Sequence, residues 1–309
     1  MKQFQHFIDG KFTAGSTDKV FENRHPADGS LVGMVSEGGA AEVDAAVQAA
    51  RAALRGPWST MSVDARSDML RAIADGITRR FDDFVAAEMA DTGQPRSTQE
   101  HAFIPRGAAN FKAFADVIKN VATESFEMQT PDGRGAINYS IRRPKGVIGV
   151  ICPWNAPLLL MTWKVAPALA CGNAVIVKPS EETPGTATLL GEVMNEVGVP
   201  AGVYNVVHGF GPGSAGEFLT SHQGVDAITF TGETRTGTAI MKAAAEGLRD
   251  VSFEMGGKNS AIIFADADLD VTLEAVTRSA FLNCGQVCLG TERILVERPL
   301  FERFVTALK

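Results

Sequence analysis

The sequence predicts an α/β protein: a doubly wound parallel sheet followed by the start of a second, incomplete α/β domain. Three observations carry this. From Gly146 onward, short apolar runs alternate with helical stretches, the rhythm of right-handed crossovers and a parallel sheet covered on both faces. The chain has 309 residues, enough for about two domains and a full core. Its composition, 45% hydrophobic and 21% charged, is that of an ordinary globular protein and excludes disordered, collagen-like and coiled-coil chains.

The first 120 or so residues read as mainly helical after a short extended start at 7–12 and 31–35. Residues 40–54 place Val43, Ala46, Val47, Ala50 and Leu54 at helical spacing. Residues 63–80 and 81–91 continue the pattern until Thr92-Gly93-Gln94-Pro95 breaks it, and 104–121 form one more helix. In 124–143, two alternating runs flank Pro131-Asp132-Gly133-Arg134-Gly135, the pattern of a β-hairpin. Pairing with a neighbouring chain or a local edge hairpin would both satisfy it.

Strands follow at 147–152, 174–178, 203–207, 227–230 and 251–254, with helices at 160–170, 187–197, 215–220 and 236–248 between them. In such a sheet, ligands bind at the carboxyl ends of the strands. After Gly256-Gly257-Lys258 the pattern restarts: a strand at 261–264, a helix from Leu269, a turn at 284–290, a strand at 293–296 and a helix from Leu300 to Lys309. About fifty residues are too few to close an independent core of this kind.

Lys and Arg number 29 against 36 Asp and Glu, a net charge of −7. That balance argues against nucleic-acid and anionic-membrane partners and leaves a small molecule or another protein. The four cysteines, Cys152, Cys171, Cys284 and Cys288, do not make a disulfide framework. The start of the chain lacks a basic segment followed by an apolar one, and the longest apolar runs fall far short of the ~20 residues a bilayer needs. A cytoplasmic protein is expected.

Two motifs carry less than their spacing promises. Gly211-Pro212-Gly213-Ser214-Ala215-Gly216 fits a dinucleotide fingerprint but follows the third strand instead of the first, and a tight turn alone accounts for its glycines. Asp266, Asp268 and Asp270 have calcium-loop spacing, but Val271 and Thr277 occupy the glycine and closing-glutamate positions. Acidic residues at a helix N-terminus explain that cluster, and no metal site is expected.

Phe281-Leu282-Asn283-Cys284-Gly285-Gln286-Val287-Cys288-Leu289-Gly290 is the informative segment. A cysteine at a glycine-containing turn, beside free backbone N–H groups, is suited to act as a nucleophile; a buried structural cysteine is the alternative. Glu254 ends a strand ahead of Met255-Gly256-Gly257-Lys258, where a carboxylate beside apolar residues is suited to general-base work. Asn155, just after the first parallel strand, is placed to donate to a developing oxyanion. A solvated strand-end carboxylate and a turn-forming amide are the alternatives for these two.

Phe253-Glu254-Met255-Gly256-Gly257-Lys258 followed by Gly285-Gln286-Val287-Cys288 resembles the signature pair of the NAD(P)-dependent aldehyde dehydrogenases, and the 34-residue separation of Glu254 and Cys288 fits. Pro153-Trp154-Asn155, Lys178-Pro179-Ser180-Glu181 and Phe230-Thr231-Gly232 resemble other motifs of that family, in order. The resemblance runs from about residue 6 to the end. It implies a Rossmann-like NAD-binding domain over 1–123 and 145–256, an oligomerisation hairpin over 124–144, and the start of a catalytic domain over 257–309. Cys288 would attack the aldehyde, Asn155 and the Cys288 N–H would hold the oxyanion, and Glu254 would activate water to hydrolyse the thioester. Lys178 and Glu181 would bind the adenosine ribose, favouring NAD over NADP, with Ile151, Trp154, Phe230 and Gly232 lining the cofactor site. Cys284 would be a small packing residue, and Cys152 would lie close to the site, open to a spurious disulfide. Glu233 stands where the family commonly has serine, putting a carboxylate near a pyrophosphate.

Arg143-Pro144-Lys145-Gly146-Val147-Ile148-Gly149-Val150, Leu158-Leu159-Leu160-Met161-Thr162-Trp163-Lys164 and Gly232-Glu233-Thr234-Arg235-Thr236-Gly237 resemble the 2-hydroxymuconate and related 2-aminomuconate semialdehyde dehydrogenases. Their substrates carry a carboxylate far from the aldehyde, which calls for an arginine fork. Arg106 matches that arginine; an arginine on an exposed helix is the alternative. Family members run well past residue 309 and assemble as dimers or tetramers. The chain is therefore expected to be a fragment of an active dehydrogenase, with an inactive NAD-binding product, a non-redox thioesterase, or a dehydrogenase for another substrate such as betaine aldehyde as the other readings.

Overall fold

The computed structural model describes residues 2–309. The chain divides into two compact units. The first runs to Phe230 and includes Ile240–Ser252; the second holds Thr231–Ala239 and Phe253–Lys309.

The first unit opens with short strands β1 (Gln3–Phe4), β2 (His6–Ile8), β3 (Lys11–Thr13), β4 (Val20–Arg24) and β5 (Leu31–Ser36). Helices α1 (Ala40–Ala53), α2 (Pro57–Thr60), α3 (Val63–Arg79), α4 (Phe81–Thr92) and α5 (Arg96–Thr98) follow. A π-helical turn over Gln99–Phe103 then leads into α6 (Ile104–Lys119). The hairpin is present as β6 (Ser125–Met128) and β7 (Ala136–Tyr139), antiparallel around the Pro131–Gly135 turn. Alternation of strand and helix then sets in: β8 (Val147–Ile151), α7 (Pro157–Ala170), β9 (Ala174–Lys178), α8 (Gly185–Glu196), β10 (Tyr204–Val206), α9 (Ala215–Ser221), β11 (Ala227–Gly232), α10 (Thr234–Ala245) and β12 (Asp250–Met255).

Every residue of β8 and β9 is buried, as expected of parallel strands covered on both faces. The sheet order is β12-β11-β8-β9-β10-β2-β3. Pairings β11–β8, β8–β9 and β9–β10 are parallel, but β2 runs antiparallel to β10 and β3 antiparallel to β2. The expected all-parallel sheet is thus mixed at one edge. The N-terminal ribbon adds two strands there, satisfying the free backbone groups of β10. β1 and β4, which the apolar pattern missed, flank β5 in a separate three-stranded sheet.

The core lies between this sheet and its helices. Leu70, Ile73 and Ile77 of α3, Phe84 of α4, Phe111 of α6 and Val165 and Leu169 of α7 are all fully buried with Val150, Val175 and Val177 of the strands. Gly107 lets the first turn of α6 meet the first turn of α7; a Cβ there would stand 2.8 Å from Leu158. Asn110 Nδ2 donates to Leu159 O and Thr162 Oγ1 at 3.1 and 2.9 Å, fixing the same register.

The second unit contains β13 (Ser260–Ile263), α11 (Leu269–Phe281), β14 (Arg293–Val296) and α12 (Arg298–Leu308), with β13 and β14 parallel. Ile263, Val276, Leu300 and Phe304 form its buried core. Asp268 caps α11, its Oδ1 accepting from Asp270 N and Val271 N at 3.1 Å each. The Asp266–Asp270 cluster is accordingly a helix start.

Candidate active site

In the first unit, three of the predicted cofactor residues fall on one row across the sheet. Ile151 of β8 is paired in register with Lys178 of β9 on one side and Phe230 of β11 on the other. All three sit at carboxyl ends, where an α/β sheet binds ligands. Ile151 and Phe230 are buried. Lys178 Nζ donates to Glu181 Oε2 at 2.8 Å, the lysine side chain only 7% exposed and the glutamate 36%. Burial works to raise the Glu181 carboxyl, but the charge and hydrogen bond of Lys178 outweigh it and hold the pKa below its ordinary value.

Trp154 and Asn155 follow in the loop from β8 to α7, with Trp154 44% exposed. This loop rests on polar groups that no motif marks. Gln94 Nε2 donates to Asn155 O at 2.9 Å, and Gln99 Nε2 donates to Gln94 Oε1 at 2.5 Å. Glu88, fully buried in α4, accepts from Leu158 N at 3.4 Å. Burial, with Asp91 nearby, raises the Glu88 carboxyl to about 8 despite that hydrogen bond. Burial likewise raises Asp91 to about 7, against hydrogen bonds from Gly185 N and Asn23 Nδ2. The bonds to Asn155 O, from Leu158 N, from Gly185 N and from Asn23 Nδ2 join segments dozens of residues apart, which no local pattern reveals.

Arg106 lies in the first turn of α6, packed beside the first turn of α7, which itself opens at the carboxyl edge of β8. It is exposed, and its guanidinium stands 5.7 Å from the Trp163 ring centroid, a cation–π contact that orients the planar fork. The glycine-rich run 211–216 is a packed turn: Ser214 Oγ accepts from Phe210 N at 3.0 Å and donates to Glu37 Oε1 at 2.9 Å.

Cys152 departs from its expectation. It is buried, and burial pushes its thiol up to about 12 despite Lys164 and Lys178, so it is shielded from the spurious disulfide foreseen for it.

The second unit carries Gly232, Glu233, Glu254 and Cys288. Gly232 ends β11, and Glu233 is exposed beside Arg235 at 3.2 Å. Glu254 lies in β12 and is exposed, so the apolar surroundings expected for it are not formed by its sequence neighbours. Alternation along a strand is the reason: Phe253 and Met255 project from the opposite face.

Cys288 is exposed, against the buried structural alternative. Gly290 N donates to Val287 O at 2.9 Å, closing a turn in which Cys288 is the second residue. Because the Val287–Cys288 peptide is trans and its carbonyl points into the turn, the Cys288 N–H points out of it. Cys284 is also exposed, not packed as expected. Asn283, Cys284 and Gly285 adopt φ of 53°, 56° and 76°, and this left-handed run turns the Cys284 side chain to solvent. Asn259, a residue the sequence did not mark, reaches the loop: its Nδ2 donates to Cys288 O at 2.9 Å and Gly290 O at 3.1 Å.

Among the described residues no cluster of three or more His, Cys, Asp or Glu could hold a metal, and no helix is long and apolar enough to cross a membrane.

Residues 12–309 match the Aldehyde dehydrogenase family. The chain belongs to that family. It is 68% identical over its whole length to the 2-hydroxymuconic semialdehyde dehydrogenase of Pseudomonas sp. (strain CF600), and spans 64% of that relative. A 2-aminomuconic 6-semialdehyde dehydrogenase of Pseudomonas is 57% identical, with 62% of its length covered. Among solved structures, the NAD+ complex of an aldehyde dehydrogenase from Bacillus cereus superposes with a TM-score of 0.95 at 34% identity, over 99% of this chain and 62% of that one. The aldehyde dehydrogenase fold follows, and the chain covers a little under two thirds of the relatives it matches.

Proposed function

We propose that the chain carries the cofactor site and nucleophile of an NAD-dependent aldehyde dehydrogenase acting on 2-hydroxymuconic semialdehyde. The observation that carries the substrate is the 68% identity to an enzyme of that name. The donor set supports the cofactor. Glu181 accepts and Lys178 donates within one ion pair, a combination that suits ribose hydroxyls and repels a 2′-phosphate. Trp154, Gly232 and Glu233 are assigned to the same cofactor. NAD, when bound, supplies the hydride acceptor.

Cys288 Sγ attacks the aldehyde carbon, forming a C–S bond, and the resulting oxyanion is met by the Cys288 N–H, with the Asn155 amide as second donor. Glu254 takes a proton from the water that hydrolyses the thioester; the C–S bond breaks, the carboxylate leaves and the thiol is restored. Arg106 receives the remote carboxylate of the substrate. The 57% identity to a 2-aminomuconic 6-semialdehyde dehydrogenase supports that acid aldehyde as the second reading. A cationic substrate such as betaine aldehyde is opposed by the Arg106 charge. The β6–β7 hairpin, with Phe126, Ile137 and Tyr139 at 62%, 71% and 70% exposure, is assigned to pairing between copies in a cytoplasmic homo-oligomer.

The test is NADH formation with NAD and 2-hydroxymuconic semialdehyde, in this chain and in the chain continued by the C-terminal part of the 68% identical relative. Turnover is expected in the continued chain, and Cys288→Ala is expected to remove at least about a thousandfold of it. Turnover untouched by Cys288→Ala would overturn the chemistry. Turnover only of simple uncharged aldehydes would overturn the substrate, and cleavage of thioesters without NADH would favour a hydrolase.

A further inference from the structure

The loop that presents Cys288 has little packing to hold it. From Phe281 to Leu289 only Asn283 and Val287 are even partly buried. It also contains three successive left-handed residues, Asn283, Cys284 and Gly285. Non-glycine residues in that region persist only where surrounding contacts over-determine them.

One side chain from outside the loop reaches it. Asn259 lies between the Gly256-Gly257 pair and β13. Its Nδ2 carries two hydrogens, and one goes to each of Cys288 O and Gly290 O, at 2.9 and 3.1 Å. The Asn259 backbone carbonyl accepts from Glu292 N and Arg293 N at 3.0 and 3.1 Å. Asn259 therefore grips the chain on both sides of the turn: at the nucleophile, and where the loop enters β14. Gly290, fixed by the same amide, is the residue whose N–H closes the turn on Val287 O. That closure sets the peptide plane from which the Cys288 N–H projects. An aspartate here would face two carbonyl oxygens with no hydrogen to offer.

We propose that Asn259 is a positioning residue for Cys288, its amide bridging the Cys288 and Gly290 carbonyls to fix both the thiol and the Cys288 N–H in the direction the reaction uses. The proposal rests on the reading of Cys288 as nucleophile.

The experiment measures alkylation of each cysteine by iodoacetamide, resolved by mass spectrometry, across a range of pH, in the full chain and in Asn259→Asp and Asn259→Ala. A partly unfolded population and a displaced thiol both change the rate of this irreversible reaction, so a second measurement separates them. Hydrogen exchange of the β13 and β14 amides reports whether the strands survive. In the unsubstituted chain, Cys288 is expected to differ from a free cysteine peptide in rate or profile. Both variants are expected to move the Cys288 rate constant at least threefold toward that peptide, Asn259→Asp furthest, with Cys171 unchanged and the strands still protected. A Cys288 that already matches the free peptide, or that keeps its rate and profile within twofold in both variants, would overturn the proposal. So would loss of β13–β14 protection in both, which would make Asn259 a folding residue. None of these readouts requires turnover, so they stand apart from the Cys288→Ala test of the nucleophile itself.

Discussion

The two units hold their candidate site residues by different means. In the first, Ile151, Lys178 and Phe230 ride on adjacent strands of a sheet, and β8 and β9 are buried along their full length. In the second, β13 and β14 are half open, with Ile262 64% and Leu295 53% exposed, and the core comprises four buried residues. The residues proposed for the cofactor are thus placed by close packing, which tolerates few alternative arrangements. The loop of the proposed nucleophile is placed by a few hydrogen bonds, each of modest net worth. Parts of a protein with few buried apolar contacts open locally at lower free energy than its core.

Hydrogen exchange gives the sharpest way to break this contrast. The β8 and β9 amides are expected to be the slowest in the chain and those of β13 and β14 much faster. Phe111→Ala, at a fully buried site, is expected to cost about 3–5 kcal/mol and to speed exchange in β8 and β9 accordingly. Phe304→Ala is expected to act on β13 and β14, and Leu295→Ala on neither, by no more than about 0.5 kcal/mol. Equal protection of the four strands in the unsubstituted chain would end the distinction.

How much of this was legible in the sequence follows the same divide. Strands β8, β9 and β14 stand within a residue of their expected positions because apolar runs and alternation are local signals. β1 and β4 were missed, and the antiparallel docking of β2 was not foreseen. β1 and β2 have only two and three residues and β4 has no continuous apolar run, and their partners lie elsewhere: Phe7 pairs with Val206. The residues proposed to carry the chemistry are marked by motif spacing. Their supports, Gln94 and Asn259, are not, because an amide beside a proline or a glycine pair reads as a turn former and its acceptors are distant backbone carbonyls. Glu254 is exposed, because apolar neighbours in sequence project from the other face of a strand.

The polar groups under the α7 start sharpen the contrast from the other side, since here the well-packed unit buries acids. Glu88 titrates at about 8 in the folded chain and near 4.3 when unfolded. Between those values the folded state keeps a proton that the unfolded state has released, so stability is lost as pH rises through the window. Glu88→Gln keeps an acceptor for Leu158 N and cannot ionise. In urea titrations it is expected to be near neutral at pH 5 and stabilising by about 4 kcal/mol at pH 9, with Asp91 contributing its own slope below about pH 7. Parallel stability curves for the two proteins would show that Glu88 is already ionised in the fold.

A smaller effect separates what packing does from what charge does at the cofactor row. Lys178 is fixed by the strand that carries it and by near-complete burial, whereas Glu181 is one-third exposed, so its carboxylate is the part of the pair free to select a ligand. Replacing it with glutamine leaves the volume and removes the charge that would repel a 2′-phosphate. Measured by titration calorimetry on this chain, the ratio of Kd for NADP to Kd for NAD is expected to fall about tenfold in Glu181→Gln, or about 1.4 kcal/mol of discrimination. Binding of NAD itself should weaken only by the loss of one charge-assisted hydrogen bond. An unchanged ratio would mean that the sheet edge, and not the carboxylate, sets the preference, and that packing governs even the exposed part of this site.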